Sequence, residues 1–231
     1  MIAKAFLKSI EQISDKKLKK VFVLGVGLAL IVFAGLFFGV LCIIPENIEF
    51  SDWDWVNSTL SWILGWSLAP ITFIIIYLVF PAISTMFMGL FLDDVVDAVE
   101  DKHYSGSKAS RKASGYESFM ITFKMGLWVI FLNILALPFY ILLLFTAIGP
   151  FILFLILNSY LLGREYFNLI AVRHFLPEDA EKFRRMKGDK VSLTGGVITL
   201  LYIVPFVNLA APIIGSAMMV HVFHEALEKD I

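Results

Sequence analysis

Four long apolar stretches separated by polar segments dominate the pattern of this chain. They run from Val21 to Ile44, from about Thr59 to Leu92, from Met125 to Gly163, and from Val191 to about Val222. About 20 consecutive apolar residues are enough for a helix to cross the hydrocarbon core of a bilayer. The overall composition agrees, since 59% of the residues are hydrophobic. The pattern predicts an all-α integral membrane protein.

The first eighteen residues have the spacing of an amphipathic helix. Apolar residues recur there at helical intervals, at Ile2, Ala3, Phe6, Leu7, Ile10 and Ile13. Charged and amide side chains occupy the opposite face. We predict that residues 1–18 form an interfacial helix lying on the membrane surface.

The first two apolar stretches are predicted to be long transmembrane helices, at 21–44 and 59–92. Four lysines precede the first helix, at Lys16, Lys17, Lys19 and Lys20. The segment 45–58 that follows it carries only acidic charges. Because lysine and arginine accumulate on the cytoplasmic side, we predict a cytoplasmic N-terminus and an external 45–58 segment.

The second helix is followed by a polar segment, 93–117, that is rich in serine and lysine. We predict a cytoplasmic loop there, since such composition is typical of flexible connections. Pro70, Pro81 and Gly89 offer kinks or breaks in the helix that precedes the loop.

The third apolar stretch lies between Lys124 and Arg164, and the fourth lies between a basic run that ends at Lys190 and the charged tail Glu225, Glu228, Lys229 and Asp230. We predict that each stretch starts and finishes on the cytoplasmic side. Prolines interrupt them at Pro138, Pro150, Pro205 and Pro212. Each arm of the fourth stretch has roughly 14 residues and reaches about 21 Å, short of the ~30 Å hydrocarbon core. We predict partially inserted, re-entrant helical hairpins at 118–163 and 191–224, joined by a cytoplasmic segment at 164–190.

Polar groups near these hairpins are candidates for a pore. Irregular backbone cannot face lipid, so the hairpin tips predict either a homo-oligomer or a central aqueous path. Asn208, between Pro205 and Pro212, could satisfy freed backbone groups or line a pore. Arg164 and Glu165 could serve a pore as well, because charges near the membrane suggest a function. The alternative is an interfacial position with Arg164 reaching the headgroups.

Several stretches resemble the CysZ sulfate permease family, within the broader etoposide-induced-protein-like group. They are Met88 to Asp93, Glu165-Tyr166 with Arg173-His174, and Pro205-Phe206-Val207-Asn208 with Pro212 and Gly215. The resemblance covers most of the chain. It implies an inner-membrane protein that admits sulfate to the cytoplasm for assimilation, with two long helices and two pairs of half-inserted ones.

The resemblance also implies a sulfate site. In the family, a Gly-Leu-Leu-Ala-Glu segment at a helix start and an arginine pair before the first spanning helix are associated with sulfate binding. The matching positions here are Gly89, Leu90, Phe91, Leu92 and Asp93, with Lys19 and Lys20 in place of the arginine pair. Free amides at a helix start and two ammonium groups suit a dianion, although lysine lacks the bidentate fork of arginine.

An acidic run begins at the end of this segment. It contains Asp93, Asp94, Asp97, Glu100 and Asp101. These carboxylates should repel an approaching anion. Asp93 and Asp94 also suit the first turn of a cytoplasmic helix. A further alternative takes Asp93, Asp97, Glu100 and Asp101 as one helix face that binds a divalent cation.

The histidines and the single cysteine give weak signals. His221 and His224 have a spacing that could hold zinc, but the sequence offers no further ligands, so packing at the interface is the simpler interpretation. His103 and His174 are interpreted as loop residues. Cys42, the only cysteine, excludes an intrachain disulfide. We expect neither a metal nor a cofactor.

These observations favour a multi-pass transporter or channel of the bacterial inner membrane that takes up sulfate or a related small oxyanion. A phosphate loop and a nucleophile elbow are absent, so we do not expect an enzyme. Basic segments lack interleaved aromatics, which argues against nucleic acid. One alternative is a non-transporting membrane scaffold or lipid-perturbing interaction protein. Another is an intramembrane enzyme that uses His221 with Glu225. Oxyanion selectivity and the choice between channel and carrier stay open.

Overall fold

The computed structural model describes residues 2–43, 54–109, 111 and 115–228. Its elements are α1 (Ile2–Gln12), α2 (Lys16–Ile43), α3 (Asp54–Gly89), α4 (Leu92–His103), a 3₁₀ turn (Ser105–Ser107), α5 (Gly115–Leu143), α6 (Gly149–His174), α7 (Pro177–Met186), α8 (Gly188–Ile203) and α9 (Val207–Glu228). No strand occurs in these ranges. The all-α class is confirmed, while residues 45–53 of the predicted external segment lie outside the described residues.

Three of the described helices are long and apolar enough to cross a membrane. The qualifying segments are Lys16–Gly35 of α2, Phe123–Leu143 of α5 and Val207–Glu228 of α9. A fourth is counted if Val79–Gly89 and α4 form one broken span. The prediction of a multi-pass membrane protein is therefore confirmed.

The chain divides into two compact units, and the smaller one is Phe22–Leu90. Within it, α2 and α3 pack closely where a Cβ on Gly25 would lie 3.2 Å from the backbone nitrogen of Met88. Further along, the rings of Phe33 and Phe80 have centroids 5.7 Å apart. Gly25 therefore permits close approach of the two helices. The prolines expected to kink or break the second spanning helix leave α3 helical, and the helix ends at Gly89.

The larger unit comprises Met1–Val21 and Phe91–Ile231. Its centre is α9, where every residue from Ala211 to His224 is buried. The helices α1, α4, α6 and α8 pack against it. At the contact of α6 with α8, a Cβ on Gly195 would lie 2.7 Å from the Cα of Gly163. The two glycines let the helix backbones touch.

Both predicted hairpins are helix–turn–helix structures, and their turns lie within or overlap the predicted tips at residues 138–150 and 205–212. The turns fall at residues 144–148 and 204–206. Pro138 lies inside α5 and Pro212 inside α9. A proline removes one helical hydrogen bond, and long apolar helices tolerate that loss.

The expectation of equal short arms was wrong, because α8 has 16 residues and α9 has 22. At 1.5 Å per residue, α9 is about 33 Å long, enough to cross the hydrocarbon core. Re-entrant insertion itself stays a prediction.

The two polar segments between the apolar stretches are largely helical, so the predicted loop at 93–117 was wrong over most of its length. The described part of that segment contains α4, whose Val95, Val96 and Val99 are fully buried. The valines follow helical spacing between the acidic residues, and their burial stabilises the helix. In the 164–190 segment, α6 continues to His174 and α7 follows.

The N-terminal helix packs through an unexpected face. Ala5, Ser9 and Gln12 are its buried residues. On the predicted apolar face, Leu7 is 59% exposed and Ile10 is 42% exposed. Small and polar side chains therefore contact the protein, and the large apolar ones point outward. This arrangement is compatible with a helix resting on lipid.

Candidate functional site

The segment predicted to hold sulfate lies around the start of α4. Phe91 precedes the first helical residue, Leu92, and no side chain caps the helix. Leu90 is 71% exposed, and a Cβ on Gly89 would meet nothing within 4 Å. The amides of Leu90 and Asp94 donate to the carbonyls of Phe87 and Phe91, each at 3.1 Å, so the amides at the helix start that can meet a ligand are those of residues 91–93.

In the larger unit, the two predicted lysines are exposed and acids of the run pair with basic side chains. Lys19 and Lys20 are both exposed. Asp93 lies 3.5 Å from Nη1 of Arg173, and Arg173 also pairs with Asp97. Lys17 and Lys108 both pair with Asp101. Because these acids have cationic partners, the repulsion expected of the run is reduced.

The four acids weighed as a cation-binding face do not converge on one site. Glu100 is fully buried, whereas Asp93 is exposed and Asp101 is 42% exposed at its side chain. That interpretation was wrong, because Glu100 contacts histidines of α6 and α9 while the other three acids pair with cationic side chains.

Glu100 instead belongs to a buried polar cluster that we call the histidine cluster. Its members are Glu100, Tyr104, His174, His221 and His224. Both His174 Nε2 and His224 Nε2 contact the same carboxylate oxygen, Glu100 Oε1, at 2.8 and 3.2 Å. Glu100 Oε2 is buried without a hydrogen-bond partner among the described residues. Three helices, α4, α6 and α9, each contribute to this contact.

The other half of the cluster joins the N-terminal helix to α9. Burial raises the pKa of Tyr104 to about 12, so its hydroxyl stays protonated. That hydroxyl lies 2.8 Å from His221 Nδ1, and His221 Nε2 lies 3.3 Å from Gln12 Oε1. In the tautomer protonated at Nε2, His221 donates to Gln12 Oε1 and accepts from the Tyr104 hydroxyl. The Tyr104 ring also stacks on His224, with centroids 4.0 Å apart.

The sequence interpretation was wrong for two of the four histidines. His103 ends α4 and His174 ends α6, so neither lies in a loop. His221 and His224 are only 2% and 1% exposed, so both are packed inside the protein, and their position at the membrane interface stays a prediction. Two features of the sequence could have indicated this cluster: two histidines on an otherwise apolar helix, and one glutamate among valines. Such polar residues are expected to be buried, and buried polar groups require partners.

A second polar region is an open groove between α5, α6 and α7, with a volume of 510 Å³. Its charged lining is Lys124, Arg164, Glu178, Glu181 and Arg185. Glu181 interacts with three arginines. Arg184 donates to its carboxylate at 2.7 and 2.9 Å, and Arg185 donates at 3.0 Å. The guanidinium of Arg164 lies 3.8 Å from the same carboxylate. Hydrogen bonds from Arg184, and then from Arg185, hold the pKa of Glu181 at about 2.

Arg164 itself is incompletely satisfied in this groove. Its Nε is buried and has no hydrogen-bond partner among the described residues. Its guanidinium lies 5.6 Å from the centroid of the Trp128 ring. The lining of the groove thus carries three cationic side chains and two carboxylates, an excess of positive charge.

Comparison with known proteins places these features in a family. The family model described as "Sulfate transporter CysZ/Etoposide-induced protein 2.4" matches residues 5–212. The chain belongs to this family. No individual curated protein shows significant similarity to it. The resemblance seen in the sequence is confirmed, and the family is of a transporter type rather than an enzymatic one.

The remaining residues predicted for a pore have different positions in this family member. Arg164 lines the groove, whereas Glu165 next to it is exposed and is not part of the lining. Pro205 lies in the exposed turn before α9, and Pro212 is buried inside α9. Asn208 Oδ1 is buried without a hydrogen-bond partner among the described residues. The residues predicted for a pore therefore do not lie together at one site.

Proposed function

We propose that this protein carries sulfate or a related small oxyanion across the bacterial inner membrane into the cytoplasm. Membership of a sulfate-transporter family supports this function, as do helices long enough to cross a membrane. The N-terminus lies in the cytoplasm in this proposal, because four lysines precede the first spanning helix.

The groove between α5, α6 and α7 carries the proposal. Four cations, Lys124, Arg164, Arg184 and Arg185, surround two carboxylates, those of Glu178 and Glu181. Two carboxylates cannot neutralise four cations, so positive potential remains for an anion. The planar N–H fork of arginine matches the oxygens of a tetrahedral oxyanion.

The start of α4 is the second anion-binding element in the proposal. Its open amides and the exposed Lys19 and Lys20 would attract the dianion, as the family resemblance implies. Changing both lysines to Gln should weaken sulfate binding and lessen its dependence on salt. Unchanged affinity would remove the lysines from the site.

Sulfate flux into proteoliposomes tests the proposal directly. The double change Arg164→Gln and Arg185→Gln should reduce flux by about tenfold or more, which corresponds to about 1.4 kcal/mol of lost binding. The matched control is Lys182→Gln, which removes one positive charge from an exposed position on the same helix as Arg185. Wild-type flux no greater than in empty vesicles would overturn the proposed transport. An equal fall in the control would remove the groove from it.

The outward apolar face of α1 favours one alternative. Leu7 and Ile10 are large and exposed, as expected of a lipid-perturbing or scaffolding protein. That function predicts no ion conductance in planar bilayers and one stoichiometric partner in a pull-down. A homo-oligomer belongs to the transport proposal, since second copies would shelter the hairpin turns.

A further inference from the structure

We propose that Glu100, His174 and His224 bind a divalent transition metal, with Zn²⁺ as the favoured ion. The site is independent of sulfate transport. It would cross-link α4, α6 and α9 in the larger unit, using one ligand from each helix. No two of these ligands are close in sequence, which is why spacing alone does not reveal the site.

The positions of the donor atoms fit a metal ion. One ligand atom from each residue can be chosen so that all three lie within 4.8 Å of one another. Both imidazole Nε2 atoms already converge on Glu100 Oε1, at 2.8 and 3.2 Å. Metal bonds of about 2.0–2.2 Å in a tetrahedral site place neighbouring ligand atoms roughly 3.3 Å apart. Small side-chain shifts would therefore admit the ion.

The second observation is an unpartnered carboxylate oxygen. Glu100 is 0% exposed, and its Oε2 has no hydrogen-bond partner among the described residues. A buried carboxylate with one unsatisfied oxygen is costly in an interior. A cation bound between the two histidines would stabilise that charge and could use either oxygen.

The proton positions are compatible with binding. A neutral imidazole that coordinates through Nε2 carries its proton on Nδ1. For His224, that Nδ1–H would point to Ser107 Oγ, 3.4 Å away. Such a hydrogen bond fixes the orientation of a metal-bound histidine. Ser107 lies in the 3₁₀ turn after α4, so this segment would support the site.

The types of ligand atom determine which metal ions the site suits. Two imidazoles and one carboxylate suit Zn²⁺, Co²⁺ or Fe²⁺, whereas Ca²⁺ and Mg²⁺ require mainly oxygen ligands. Three protein ligands leave a fourth position for water or for the second carboxylate oxygen. Because the cluster is buried among packed helices, we assign the metal a structural role.

Metal titration of the purified full chain tests the site. Protein in detergent is treated with a chelator, dialysed, and titrated with ZnCl₂ by calorimetry and with CoCl₂ by visible absorption. We expect one ion per chain and the intense visible bands of tetrahedral Co²⁺. The variants Glu100→Gln and His174→Gln should weaken Zn²⁺ affinity by about 100-fold or more, since even supporting residues contribute 10- to 100-fold.

The control is His103→Gln, an exposed histidine near the cluster that is not one of the three ligands. It should bind Zn²⁺ as the wild type does. Size-exclusion profiles show whether each variant folds. If a ligand variant does not fold, the wild-type stoichiometry and Co²⁺ spectrum decide the question. Absence of binding to the wild type, or equal binding by folded Glu100→Gln, would overturn the proposal.

Discussion

The helices α5 and α9 have the same sequence signal and opposite surroundings. Their candidate spans have 21 and 22 residues, and each helix contains an internal proline. Only 6% of the most apolar stretch of α5 is buried by protein, against 78% of the corresponding stretch of α9. The more hydrophobic helix is thus the one that faces outward. In this pair, the higher hydropathy goes with exposure at the protein surface, and the lower hydropathy goes with burial among other helices.

The difference follows from side-chain size and from the polar residues. The buried part of α9 contains Gly215 and Ala217, which let other helices approach. Its polar residues have partners within the protein, as His221 has with Tyr104. On α5, Asn133 instead donates to the carbonyl of Val129 in its own helix. A helix that satisfies its polar groups internally can face lipid.

The largest effect is expected where the backbones of packed helices touch. A Cβ on Gly195 of α8 would fall on the carbonyl oxygen of Ser159. Gly195→Leu should therefore prevent folding, at a cost above the usual 1–3 kcal/mol of overpacking. A Cβ on Gly126 of α5 would meet nothing within 4 Å, so Gly126→Leu is the matched control. The yield of monodisperse protein measures both, and equal yields would contradict the comparison.

The next effect concerns a buried aromatic side chain. Phe223 on α9 is 0% exposed and lies against Phe167 and Phe183, with ring centroids 5.5 and 5.7 Å away. Phe223→Ala should destabilise the fold by about 3–5 kcal/mol through lost contacts and a cavity. Phe139→Ala on α5 removes a ring that is 54% exposed and should cost much less. Thermal unfolding in detergent would show whether the two losses differ.

A smaller effect links acid stability to the groove beside α5. The folded pKa of Glu181 is about 2 and its ordinary value is 4.5. The contribution of Glu181 is therefore fully present above pH 4.5 and is lost as pH falls toward 2. Since its side chain is 30% exposed, solvent reduces the effect.

Thermal unfolding from pH 7 to pH 3 measures this contribution. Glu181→Gln should be less stable than the wild type at pH 7, and the two curves should approach each other below pH 4.5. Lys182→Gln serves as the neighbouring control and should parallel the wild type. Parallel curves for Glu181→Gln would show that the arginines do not depend on this carboxylate.

Charge and apolar runs predicted the class and two helix–turn–helix pairs, and the resemblance of particular sequence stretches predicted the family. They did not predict the packing. The valines of α4 are interspersed with acidic residues, and the polar composition of the segment led to the prediction of a loop. The valines are buried on one face of a helix. The histidine cluster combines Glu100, His174 and His224 from three helices, and only tertiary contacts bring them together. Proline positions indicated the turns but not the helix ends, because Pro138 and Pro212 lie inside helices, where packing and lipid both tolerate a missing helical hydrogen bond.

The two hairpin turns provide the smallest predicted effect. Phe206, between α8 and α9, has a φ of 65°. Among the described non-glycine residues, no other has a positive φ. A phenylalanine in that region is strained by about 1–2 kcal/mol. Phe206→Gly should therefore stabilise the protein by about 1 kcal/mol, although glycine adds entropy to the unfolded chain.

Phe145, in the turn between α5 and α6, is the matched control because it is 92% exposed and has no positive φ. Phe145→Gly should leave stability unchanged or lower it, since it relieves no strain and only frees the unfolded chain. Both variants remove an exposed phenyl ring, so any loss of lipid contact is similar. Opposite signs in thermal unfolding would locate the strain in the backbone of the α8–α9 turn, whereas equal shifts would assign the effect to the rings.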